Sequence, residues 1–194
     1  MSRRIAIIQG HPDPRGDRYG HALAKAYAEG AAAAGHEVRT IDLAQLEFPL
    51  LRSKEEWDSG VPPAAVRGAQ ETIAWAGHLV ILYPLWLGTM PALLKAFLEQ
   101  AFRPGFAIGQ GGSGSSWSKL LTGKSARVVV TMGMPAFVYR WFFRAHSLKS
   151  LERNILGFVG IGPIRETLIG TVEASAASRE RWLAKLRALG GRGE

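Results

Sequence analysis

The sequence contains no cysteine, so disulfide frameworks, thiolate metal sites and thiol nucleophiles are excluded from the start. Long apolar runs are missing as well. No stretch approaches the ~20 apolar residues needed to cross a bilayer. The run that follows Arg3 and Arg4 is too short for the apolar part of a signal peptide and ends in Gln9-Gly10-His11. These absences predict a cytoplasmic protein without a transmembrane segment. Acidic residues are the scarcer charge, 16 against 24 Lys and Arg, which leaves a formal net charge of +8. The cations are scattered, and no nucleic-acid reader motif accompanies them. The expectation is therefore no nucleic-acid partner, with the positive field free to attract anionic dinucleotides. The closely spaced glycines of a dinucleotide fingerprint are absent, because Gly10 is followed by His11 and Pro12, and so is a Walker P-loop.

What remains is a chain of 194 residues, 47% hydrophobic and punctuated by 23 Gly and 10 Pro, a size and composition that suit one domain over 1–194. The apolar runs 5–8 and 79–83 read as strands, as do 126–131, 164–169 and 37–43, the last more polar and so nearer an edge. Between them the period changes to that of a helix. Tyr19, Ala22, Leu23, Ala26, Tyr27 and Gly30 form one stripe, and Leu94, Phe97, Leu98, Ala101 and Phe102 another. Residues 64–75, the stripe from Leu148 to Val159 and a last helix carrying Trp182, Leu183, Leu186 and Leu189 complete the set. Strand and helix in alternation predict a parallel sheet with helices on both faces. Helix caps are expected at Asp17, at Thr89 and near Ser178. Residues 45–63 read as an irregular connection and 109–116, rich in glycine, as a flexible loop.

Loops at the carboxyl ends of such strands form the crevice in which ligands bind. The third strand runs into Pro84-Leu85-Trp86-Leu87-Gly88. A large aromatic is not needed to turn the chain there, so Trp86 reads as a wall for a flat ligand. After the first strand, residues 10–18 lead directly into a helix, which gathers unpaired N–H groups and a positive dipole end suited to a phosphate. On the residues alone, a surface loop with a helix cap at Asp17 is the favoured reading. The aromatic stretch 137–146 reads either as a helix packed in the core or as a partly exposed wall or dimer contact.

Pro84-Leu85-Trp86 with Gly88, the following Met90-Pro91-Ala92-Leu93-Leu94-Lys95, and His11-Pro12-Asp13-Pro14 near the N-terminus resemble the NAD(P)H:quinone oxidoreductase family, a branch of the flavodoxin-like fold. Ala22-Leu23-Ala24, Leu120-Leu121-Thr122-Gly123-Lys124 and Thr131-Met132-Gly133 extend the resemblance over nearly the whole chain. It implies a three-layer α/β sandwich on a five-stranded parallel sheet of order 2-1-3-4-5. It also implies a flavin, FMN or FAD, that passes hydride at N5 from NAD(P)H to a quinone-like acceptor in a two-step exchange. The family's homodimer, with the active site at the interface, is implied too.

By the same resemblance His11, Arg18, Tyr19 and Gly20 hold the phosphate side of the cofactor. Pro84, Leu85, Trp86, Leu87 and Gly88 hold its ring, while Thr131, Met132 and Gly133 hold the pyrimidine edge. Tyr139 and His146 take the catalytic positions, and no metal is implied. Arg18 and Gly20 replace the serine and asparagine usual in the family. An azo- or nitro-group reductase would share the chemistry. A flavin-binding regulatory protein or an electron carrier would share the fold, although carriers of this type are typically acidic.

Overall fold

In the computed structural model, residues 2–109 and 117–194 are described; most of the glycine-rich run expected to be a flexible loop lies outside them. Strand β1 (Arg4–Gln9) leads to helix α1 (Tyr19–Ala33) and strand β2 (Glu37–Asp42). Helices α2 (Lys54–Ser59) and α3 (Ala64–Trp75) precede strand β3 (His78–Pro84), and helix α4 (Ala92–Ala101) follows it. Two short antiparallel strands, β4 (Ile108–Gly109) and β5 (Ser118–Lys119), flank the undescribed run. Strand β6 (Ser125–Thr131), helices α5 (His146–Ser150) and α6 (Gly157–Val159), strand β7 (Ile164–Ile169) and helix α7 (Ala176–Gly191) complete the chain.

The five long strands are all parallel and lie in the order β2-β1-β3-β6-β7. With the β4–β5 pair set aside, that is the expected 2-1-3-4-5 order. The continuous apolar strands are explained by burial on both faces. Ala6, Ile8, Leu79, Ile81, Val128 and Val130 point into the larger core, beneath α3, α4 and the helical segment after β6. Their neighbours Ile5, Ile7, Val80, Leu82 and Val129 point the other way, under α1 and α7. Those two helices cross so closely that a Cβ at Gly30 would lie 1.9 Å from the Arg187 carbonyl oxygen, and one at Gly190 would lie 2.0 Å from that of Tyr27. Only hydrogen side chains permit the crossing.

Three local expectations are corrected. The connection 45–63 contains α2, capped by the Ser53 hydroxyl accepting from Glu56 N–H at 3.1 Å. Ser53-Lys54-Glu55-Glu56 has the spacing of a capping box, the signal that marks this helix in the sequence. The caps also move: α1 starts after Arg18 without a side-chain cap, α4 starts after Pro91, and α7 is capped by Ser175 rather than Ser178. Finally, the aromatic segment is no regular helix. Val138–Phe142 is a π-helical turn, and Arg144 and Ala145 both take left-handed backbone (φ 53° and 48°), which stops it before α5 begins. A second π-helical stretch, Leu151–Leu156, joins α5 to α6. The wide turns and the left-handed step displace the aromatic side chains from a single stripe, so Phe137, Trp141, Phe142 and Phe143 stay exposed.

Candidate active site

Three loops meet at the carboxyl edge of the sheet, and main-chain hydrogen bonds hold them together. Gly10 N–H donates to the Leu82 carbonyl at 2.7 Å, and Leu85 N–H donates to that of Thr131 at 2.8 Å. Gly10 has to be glycine. A Cβ there would lie 2.9 Å from the Leu82 oxygen and 3.0 Å from Leu94 Cδ2. Past it, the imidazole of His11 stands edge-on to Trp86, ring centroids 5.7 Å apart, so the first and third loops also touch through their side chains.

The loop after β3 is a tight turn. Trp86 and Thr89 exchange both backbone hydrogen bonds, at 2.9 and 3.0 Å. Leu87 (φ 46°) and Gly88 (φ 77°) both take positive φ between them, the signature of a type I′ turn. Leucine in that conformation costs about 1 kcal/mol, and Leu87 is fully exposed at the tip. Trp86 is 48% exposed, so one part of the indole packs while the rest faces solvent over the crevice. Pro84 and Leu85 are half-buried behind it. A strained turn that presents an exposed ring and an exposed apolar tip is spending stability at a ligand-facing edge.

The loop after β1 collects polar groups. Asp13 accepts from Arg15 Nη2 and from Arg18 Nε, each at 2.7 Å. The Arg15 hydrogen bonds hold the Asp13 carboxyl below the usual carboxylate range. His11 Nδ1 accepts from Asp13 N–H at 3.1 Å, which puts the ring proton on Nε2. Burial, reinforced by His21, lowers the His11 pKa, so this imidazole is neutral at neutral pH. Gln9, 2% exposed at the end of β1, accepts from His11 N–H through Oε1 at 3.2 Å, while its Nε2 is buried without a partner. Both ring nitrogens of His21, in the first turn of α1, are likewise buried without partners. A side chain at Gly20 would begin 3.8 Å from Gln9 Oε1, so glycine keeps the approach to the carboxamide open.

A 15-residue helix begins at this point with no acidic residue in its first turn and no side-chain cap. Its first amides and the orphaned side-chain nitrogens therefore face the same need for an acceptor. A phosphate monoester supplies three acceptor oxygens, and the exposed indole beside it supplies a wall for a planar ring. By that test the residues present fit a flavin mononucleotide.

The predicted site residues divide accordingly. His11, Arg18, Gly20, Pro84, Leu85, Trp86, Leu87 and Gly88 line or frame the converging loops. Tyr19 turns away: its hydroxyl donates to the Arg179 carbonyl at 3.1 Å and ties α1 to α7, leaving only its main chain toward the loop. Thr131 and Met132 are buried, and Met132 sends its side chain into the larger core, so the loop after β6 offers main chain and the open position at Gly133. Tyr139 lies in the core beside the start of α5. It is 2% exposed, its hydroxyl shares a hydrogen bond with Ser147 Oγ at 2.7 Å and accepts from Leu148 N–H at 3.2 Å. These bonds tie the hydroxyl to the start of α5. His146 is exposed at the head of α5, and no hydrogen bond among the described residues joins it to the loops. Gln9 and His21 join the crevice without being among the predicted residues. Gln9 closes an otherwise apolar strand, and that single polar interruption was its only sequence signal.

A cavity of about 770 Å³ opens elsewhere, lined by Arg140, Trp141, Arg144, Lys149, Glu152 and Glu166. None of the predicted site residues borders it, and its facing charges are partly spent on the Arg140–Glu166 ion pair at 2.5 Å. The orphaned donors and the exposed indole favour the crevice.

The family model described as flavodoxin-like fold matches residues 3–189. A Ribosyldihydronicotinamide dehydrogenase-like protein of Penicillium crustosum is 28% identical over 67% of this chain, which spans 57% of that relative's length. An FMN-dependent NADH:quinone oxidoreductase of Nitratidesulfovibrio vulgaris is 28% identical, covering 93% of this chain and 96% of the relative. Among solved structures, an NAD(P)H:quinone oxidoreductase from Methanothermobacter marburgensis superposes with a TM-score of 0.85 over 100% of both chains, at 25% identity.

Proposed function

Since this chain belongs to the family of the flavodoxin-like fold, we propose that it is an FMN-dependent NAD(P)H oxidoreductase whose acceptor is a quinone or a similar small oxidant. The observation that carries the reading is the set of buried, partnerless nitrogens of Gln9 and His21 beside the uncapped start of α1 and within one loop of the exposed Trp86. The FMN-dependent NADH:quinone oxidoreductase similar over 93% of this chain supports the choice of cofactor and reaction.

When bound, the flavin supplies the hydride chemistry: two electrons and a proton accepted from NAD(P)H at N5 and then passed to the acceptor. The chain's own residues bind, orient and shield. The amides at the start of α1, with Gln9 and His21, would hold the phosphate. His11 stays neutral and donates through Nε2, since Asp13 N–H occupies its other nitrogen. The exposed Trp86 indole would hold the flat ring, and the turn at Leu87 and Gly88 keeps the indole at the mouth of the crevice. NAD(P)H and then the acceptor would enter the same crevice in turn. Two substrates that share one flat slot need an apolar lining, which agrees with the exposed Trp86 and Leu87.

The reading includes a homodimer that covers this mouth. Exposed Leu87, Phe137, Trp141 and Phe142 are large apolar surfaces suited to an interface. Sedimentation at a single-chain mass would remove that part. The activity test is consumption of NADH or NADPH by the FMN-loaded protein, with soluble quinones and azo dyes offered in parallel. Quinone-dependent turnover is the expected result. A protein that binds FMN yet oxidises neither nucleotide with any acceptor contradicts the enzymatic reading.

A further inference from the structure

Strand β7 closes one side of the sheet, at the end of the order β2-β1-β3-β6-β7. Its register with β6 fixes which main-chain groups are used. Ala126 N–H donates to the Pro163 carbonyl at 3.0 Å and Met132 N–H to that of Ile169 at 2.9 Å, so the odd-numbered residues face β6. The N–H and C=O groups of Ile164, Glu166 and Leu168 therefore point outward. Among the described residues no main-chain hydrogen bond meets them.

Open space runs beside this edge. The cavity of about 770 Å³ reaches Ile164 and Glu166, and a second of about 400 Å³ reaches Glu166, Thr167 and Leu168. Both are bordered by Arg140 and Trp141, so together they form one groove along the strand. Its walls are aromatic and cationic. Exposed Phe137 and Trp141 stand on one side, and on the other is Trp182 of α7, with Lys185 Nζ 4.4 Å from its ring centroid. Arg140 is paired with Glu166. Arg144, Lys149 and Lys185 have no ion-pair partner among the described residues, and half-buried Glu152 is the carboxylate left to oppose them.

We propose that the outer edge of β7 is a docking site for an extended acidic peptide segment of a partner protein, which adds a strand to the sheet. The inference is independent of the flavin reading. A row of donors and acceptors at strand spacing is matched by another polypeptide main chain, and the three unpaired cations call for carboxylates on its side chains. A second copy of this chain suits the edge poorly. Two β7 strands paired antiparallel about Glu166 would set like carboxylates opposite each other and bring both sets of cations together. Phe137 and Trp141 also belong to the surface proposed for the homodimer, so the test relies on the main-chain row and on Lys149 and Lys185, which do not.

The probe is a blocked peptide of alternating glutamate and valine, matched to the six residues of β7, and the readout is amide hydrogen exchange followed by NMR on the whole chain. In the free protein the inward amides of Arg165, Thr167 and Ile169 should be protected, and those of Ile164, Glu166 and Leu168 should exchange faster. Saturating peptide should slow the outward three by about tenfold or more and leave the inward three unchanged. Fluorescence anisotropy of labelled peptide should show binding that weakens with salt and falls about tenfold when Lys149→Glu and Lys185→Glu are combined. A peptide with lysine in place of glutamate should not bind. Absence of binding at low salt, or binding that leaves the outward amides unprotected, overturns the proposal. Protection of those amides that grows with protein concentration, without peptide, would assign the edge to a second copy and overturns it equally.

Discussion

At the amino edge of the sheet, Lys124 Nζ donates to the Ala74 and Ala76 carbonyls at 2.8 and 2.6 Å, and His78 Nδ1 meets Ser125 Oγ at 2.8 Å. At the carboxyl edge, Gln9 Nε2 and both nitrogens of His21 have no partner, Leu87 sits in left-handed backbone, and half of Trp86 faces solvent. The same strands run through both edges. At one end most polar groups of the described residues are spent on the protein itself, with His36 Nε2 and His78 Nε2 the exceptions. At the other the groups are held ready for something else. The contrast separates stability from function more sharply than sequence position does, since β1 and β3 contribute to both edges within a few residues.

Changes at the amino edge should alter folding and leave ligand binding alone. Burial lowers the His78 pKa to about 4, so the folded protein keeps this ring neutral while the unfolded chain protonates it near its ordinary value. Stability from His78 is thus fully present above about pH 6.5 and is lost as pH falls toward 4, up to about 3 kcal/mol. Chemical denaturation across that window should show the loss in the wild type and a flatter profile in His78→Gln, with FMN affinity at neutral pH preserved in both.

Gly10→Ala lies where the two demands overlap. Its methyl would press on the Leu82 carbonyl and on Leu94, so we expect a stability loss of about 2 kcal/mol together with weaker FMN binding. A variant that kept full stability would show the loop to be looser than described. Trp86→Ala isolates the carboxyl edge. FMN affinity should fall about tenfold, equivalent to about 1.4 kcal/mol, while unfolding changes by less than about 0.5 kcal/mol because the indole is half exposed. Equal losses in both measurements would erase the distinction between the edges. The smallest effect belongs to Leu87→Gly. Relief of the left-handed leucine outweighs the added chain entropy and should raise stability by about 0.5 kcal/mol, with a modest cost to FMN affinity through loss of the apolar tip.

The parallel sheet and both helical layers were legible in the sequence because they follow from period, whereas the strand order came only with the family resemblance. Ile5, Ala6, Ile7 and Ile8 are apolar at every position, and such a run fits only a strand covered on both sides. The Trp86 loop was legible for a different reason, an aromatic placed where turning the chain does not require one. Less could be read where side-chain direction decides the role. Tyr139 occupies a catalytic position by resemblance, yet π-helical backbone and the left-handed step at Arg144–Ala145 bury its hydroxyl against Ser147. Nothing in a linear pattern announces a π turn. Tyr19 was placed correctly in the chain, but its ring is drawn to α7 by the Arg179 carbonyl, a partner 160 residues away. His21 carries no sequence signal, because a polar residue in a first helical turn is ordinary and only its missing hydrogen-bond partners set it apart.

The central claim is that the carboxyl edge holds a phosphorylated flavin with its ring against Trp86. Titrating FMN into the apoprotein and following flavin fluorescence tests it directly. Saturable quenching at one flavin per chain, weakened in Trp86→Ala and unchanged in His78→Gln, is the predicted result. Fluorescence indistinguishable from free FMN at saturating protein would contradict it.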